Sequence, residues 1–75
     1  MSSHILDLHG YGHHEVDVAV ENFIYLNQDE MPLTIICGNS EKMLSLVMLV
    51  LERSDAEYYN GSGHDYGLIK VHRLK

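Results

Sequence analysis

Two ionisable residues separated by a single leucine, Asp7 and His9, open the chemistry available to this chain. They lie in Ile5-Leu6-Asp7-Leu8-His9-Gly10, a run apolar enough to be a buried strand. Side chains alternate faces along a strand, so this spacing sets Asp7 and His9 on one face and Leu6 and Leu8 on the other. An imidazole titrates near neutrality and serves as acid or base, and a neighbouring carboxylate orients it and stabilises its charged form. Gly10 then breaks the strand and allows a sharp turn. A strand that delivers such a pair to a turn suits a phosphate or proton-transfer site. The same alternation is also ordinary strand patterning on a solvated face, and both readings stand at this point.

Other residues carry weaker signals. His9, His13 and His14 with an acid offer donors suited to zinc or manganese. They lie across a glycine-bearing turn, however, and meet no recognised ligand spacing. Cys37 reads as a small buried hydrophobe rather than a nucleophile, since no activating base is marked beside it. Glu15 suits the positive end of a helix dipole, with binding of the His9 turn as the alternative.

The elements that must position these groups follow from the pattern. His4 to Leu8 reads as a strand and 9–13 as a turn. From His14 to Gln28, Val16, Ala19, Val20, Phe23 and Ile24 keep the three/four spacing of an amphipathic helix. Pro32 forbids its continuation, and Leu33-Thr34-Ile35-Ile36-Cys37 reads as a covered parallel strand. Asn39 or Ser40 caps the next helix, Glu41 to Arg53. That helix is apolar nearly all round, which predicts exposed apolar surface and hence a protein partner or a second copy. Ala56 to Tyr59 is a strand with its tyrosines on opposite faces, followed by a turn-rich loop. In the last strand, Gly67 to Leu74, alternation sets Ile69, Val71 and Arg73 opposite Leu68, Lys70, His72 and Leu74. The predicted order is βαβαββ, an α/β arrangement whose first two strands are parallel neighbours with a right-handed crossover. Function in an open α/β sheet sits at the carboxyl ends of the parallel strands. His9-Gly10 and Gly38–Ser40 emerge there. With the third strand parallel and the fourth antiparallel, the Gly61–Gly67 loop joins them, bringing His64 and Asp65.

The chain of 75 residues reads as one domain, 1–75. A chain this short buries only about 60–65% of its unfolded surface, so self-association would help it. The start shows no basic segment of a secretory signal, and no apolar stretch approaches the roughly 20 residues that span a bilayer. A single cysteine suits a reducing cytoplasm. The net charge is −6, and every Lys and Arg lies at or after Lys42. That excludes the broad basic footprint of a typical nucleic-acid binder. It leaves local cations at Lys70, Arg73 and Lys75, whose fields matter within about 8 Å.

Leu6-Asp7-Leu8-His9-Gly10 matches, letter for letter, the LDLHG motif that opens small MutS-related (Smr) domains. The chain resembles that family over essentially its whole length: a helix with an early acid (Glu15), an apolar strand ending in a glycine loop, a second helix, and a hairpin whose last strand starts at a glycine. It departs from the family at two loops. Cys37, Asn39 and Ser40 stand where threonine or histidine, lysine and glycine are common, and His64-Asp65-Tyr66-Gly67 keeps only the final glycine. The resemblance implies a two-layer sandwich, a four-stranded mixed sheet with two helices, similar to the C-terminal domain of bacterial translation initiation factor three. It also implies endonuclease or nicking activity on DNA or RNA, with Asp7 and His9 as functional residues.

On that expectation His9 is general acid or base, Asp7 orients it and His64 is a second acid. Backbone amides of Gly38, Asn39 and Ser40 hold a phosphate oxygen at a helix start, with Lys42 adding a cation. Gly10, Gly67, Lys70 and Arg73 complete the nucleic-acid contacts. No cofactor is demanded by the residues, and a divalent metal (magnesium or manganese) is compatible with them. The alternative is a catalytically degenerate module of the same fold that binds nucleic acid or, through its apolar second helix, a protein.

Overall fold

Helical spacing and strand alternation in the sequence become six main elements in the computed structural model, which describes residues 4–74. In chain order they are β1 (Ile5–Asp7), α1 (His13–Leu26), β2 (Leu33–Ile36), α2 (Glu41–Arg53), β3 (Ala56–Asn60) and β4 (Leu68–Leu74). Single 3-10 turns occupy Gln28–Glu30 and Gly63–Asp65. The helix starts and stops have local causes. Glu15 Oε1 accepts the Gly12 N–H at 2.7 Å at the start of α1. Ser40 Oγ accepts the Met43 N–H at 3.1 Å at the start of α2. Such caps satisfy amides that have no intrahelical partner. Asn27, which ends α1, is buried and donates its side-chain amide to the Phe23 carbonyl at 2.8 Å.

The four strands form one mixed sheet in the order β1-β2-β4-β3. β1 and β2 are parallel, while β4 runs antiparallel to both β2 and β3. Leu8, Leu33, Ile35, Ile69 and Val71 are fully buried beneath the helices, together with Val16, Val20 and Ile24 of α1 and Val47 and Leu51 of α2. The other sheet face carries Ile5, Asp7 and Lys70, all exposed. No helix among the described residues is long and apolar enough to cross a membrane.

One expectation needs correction. The alternation along β4 breaks at a bulge: Glu57 pairs with Arg73 and Tyr58 with Val71, so His72 is an extra residue. A bulge shifts the faces of the residues beyond it. Arg73 is therefore exposed beside Glu57, and Leu74 packs against the core. The apolar excess of α2 is mostly covered and shows in part, as its composition predicts. Met43, Leu44, Val47, Val50 and Leu51 are buried between the sheet and α1, leaving Leu49 exposed at 61%. The larger apolar exposures are on α1, at Val18 and Leu26.

Candidate functional site

Three joints between strands and their neighbouring loops lie at one end of the sheet. β1 and β2 finish there, and β4 begins there, because it runs antiparallel to β2. Backbone bonds tie the joints together. The Leu8 N–H donates to the Ile36 carbonyl at 3.0 Å and the Cys37 N–H to the Gly67 carbonyl at 2.7 Å. Gly10, Gly38 and Gly67 have φ of 98°, 70° and 90°, a region L-residues rarely adopt. At Gly67 there is a second constraint: a Cβ would run into the backbone of Gly38. Two glycines of different loops thus touch where side chains would hold them apart.

Asp7 and His9 both reach this rim, in a different relation from the one their spacing predicts. Asp7 is the last residue of β1, whereas His9 lies beyond the strand, in the turn. The Asp7 Oδ1 accepts the backbone N–H of His9 at 2.9 Å. A short acid bonded to the amide two residues on is an Asx turn. The carboxylate therefore shapes the turn that carries His9, and its contact is to the main chain and not to the imidazole. Both side chains are exposed.

The other expected residues divide into two groups. Asn39, Ser40 and Lys42 stand at the start of α2, with Ser40 as the cap. The amides of Glu41 and Lys42 precede the first intrahelical bond, which runs from Leu44 to Ser40 at 3.0 Å. His64 sits exposed in the 3-10 turn just before Gly67. Lys70 lies further along β4 on the open face, opposite Tyr59 and Thr34. It lines a small cavity of about 100 Å³ with Tyr59, Gly61, Asp65 and Leu68. Arg73 is not part of the rim. It sits at the far end of β4, where its guanidinium donates twice to Glu57, each bond 3.0 Å. Lys75 lies outside the described residues.

Glu15 is accounted for as a helix cap, not as a ligand of the His9 turn. Among the described residues no three of His, Cys, Asp and Glu come together as a metal-holding group, so His9, His13 and His14 do not assemble with an acid. Burial pushes the Cys37 thiol up to about 11, which keeps it protonated and a poor nucleophile at neutral pH.

Sequence reasoning passed over the exposed tyrosines of the rim. Tyr11 follows Gly10, and Tyr66 precedes Gly67; both are exposed. Tyr66 lines a cavity of about 230 Å³ with Glu41, Leu44, Ser45, Met48 and Asn60. The available signal was a tyrosine beside a glycine in two separate turns. No family model, no curated protein and no solved structure matches this chain.

Proposed function

We propose that this chain is an Smr-like endonuclease domain. It engages the backbone of DNA or RNA at the glycine-lined rim and hydrolyses a phosphodiester there, with His9 moving the proton. The observation that carries this is the convergence of Gly10, Gly38 and Gly67, all at positive φ, beside the exposed Asp7 and His9. The two-layer packing of a four-stranded mixed sheet with two helices supports reading the fold as one like the C-terminal domain of translation initiation factor three. Gly10 and Gly38, with open space where a Cβ would stand, let a sugar-phosphate strand come close to main-chain amides, while Gly67 seats the loop against Gly38. The uncommitted amides of Glu41 and Lys42 favour an anion at the start of α2. His9 takes a proton from the attacking water, or gives one to the departing oxygen as the P–O bond breaks. Asp7 acts on His9 by setting its turn.

A second reading, a binding module without catalysis, is favoured by one observation: the partner of the Asp7 carboxylate is an amide, which leaves the imidazole without that acid to orient it. One assay separates the two. The purified chain is incubated with branched DNA and with structured RNA, and nicked product is measured. Loss of about 100-fold or more in His9→Ala, with unchanged binding, supports cleavage. Equal nicking by His9→Ala and wild type overturns it. Binding with no nicking by either leaves the module reading.

A further inference from the structure

The cavity between α2 and the Gly61–Gly67 loop sits next to the rim but is lined by chemistry that does not suit a phosphate. Glu41 brings a carboxylate, which repels phosphate oxygens. Leu44 and Met48 give it apolar walls, and Tyr66 gives it an aromatic ring. Ser45 and the Asn60 amide supply hydrogen-bonding groups. Asn60 Nδ2 donates to Met48 Sδ at 3.7 Å, a bond to a weak acceptor that a better one displaces.

We infer that this cavity holds one unpaired nucleobase of the bound strand, stacked on Tyr66 and read by the Glu41 carboxylate through an exocyclic amino group. The inference rests on the nucleic-acid reading given above and specifies its substrate as single-stranded. A planar heterocycle matches an aromatic ring with apolar walls, and base–aromatic stacking is tolerant of sequence. A carboxylate accepts from the amino group of cytosine and finds no such donor on thymine or uracil. The location fits as well. Glu41 follows the cap residue Ser40, and Tyr66 precedes Gly67, so the base pocket and the glycine joints are adjacent along the chain on both sides.

Charge points the same way. Arg53 is tied to Asp17 and Glu21, and Arg73 to Glu57. Among the described residues that leaves the lysines Lys42 and Lys70 to meet phosphates, too few for the many contacts of a typical duplex binder. A base pocket supplies affinity that those cations do not.

The test uses fluorescence anisotropy with labelled hexamers of C and T, a duplex of the same length, and cytidine monophosphate as a free competitor, at low salt. The C hexamer binds best, the T hexamer less well and the duplex least. Affinity for the single strand falls with salt at a log–log slope no steeper than about −2, about 0.7 for each lysine of the sequence. Tyr66→Ala weakens binding of the C hexamer about tenfold or more, and Tyr66→Phe restores it. Glu41→Gln narrows the preference for C over T, because a Gln side chain both donates and accepts. Tyr66 is exposed, so an unchanged melting curve in Tyr66→Ala shows that the fold is intact. Binding of the strand equally by wild type, Tyr66→Ala and Glu41→Gln overturns the pocket and leaves the rim. Cytidine monophosphate binding as tightly as the hexamer overturns the strand as its occupant. Binding of no nucleic acid at all overturns both this inference and the reading beneath it.

Discussion

The two ends of the sheet treat their polar residues in opposite ways. At the end where β1, β2 and β3 begin and β4 finishes, charges are tied off. His4 meets Glu30 at 2.8 Å and Arg73 meets Glu57 at 3.0 Å. At the other end the residues with chemistry to offer, His9, His64 and Lys42, are exposed and enter no ion pair among the described residues. What is fastened there is the backbone, through the contacts of Ile36, Cys37 and Gly38 with Leu8 and Gly67. A rigid main chain under uncommitted side chains is the arrangement a binding site requires. At the neutralised end the exposed Arg73 is already paired with Glu57.

The strongest way to break this contrast is at Gly67. An alanine there must adopt positive φ and also push Gly38 away. The expected loss is about 3 kcal/mol or more in urea unfolding. The matching change, Gly38→Ala, meets open space and suffers only the φ strain, so it costs about 1–2 kcal/mol. Equal effects at the two positions would show that the joints are not held by that contact. Ser40→Ala removes the cap of α2 and costs about 1 kcal/mol, read in the same titration. Smallest is the far end. Arg73→Ala breaks an exposed, solvent-screened ion pair and shifts the urea midpoint least of these variants, with hexamer binding unchanged. A large fall in binding would return Arg73 to the site.

Alkali gives a further check on the rim. The Cys37 thiol is held protonated in the folded chain, raised from its ordinary 9.0 to about 11. A group whose pKa rises on folding contributes stability that is full below its unfolded pKa and is lost as pH climbs toward the folded value. Stability therefore declines between about pH 9 and 11. Cys37→Ser, whose hydroxyl does not titrate there, flattens that decline in urea titrations run over the same pH range.

How much of this was legible in the chain depends on whether a residue acts locally. The second helix reads correctly to its last residue, since Ser40 and the charged Glu52-Arg53 end are local signals. The rim itself follows from strand order and the glycines. The bulge at His72 left only a faint mark, the consecutive polar pair His72-Arg73 between Val71 and Leu74, and pairing with β3 is what identifies the extra residue. The bond from the His9 amide to Asp7 was hidden for a different reason. Spacing two apart fits a shared strand face as well as an Asx turn, and the early end of β1 at Asp7 decides between them. The apolar load of α2 was legible, but how much of it is covered was not, because that helix packs on two layers at once, the sheet and α1.

The touching glycines have a practical consequence for anyone re-engineering the molecule. A lysine-bearing segment transplanted onto 38–40 alone would arrive without the neighbour that seats it. Loops 38–40 and 61–67 form a single exchangeable cassette, to be moved as a pair or left in place.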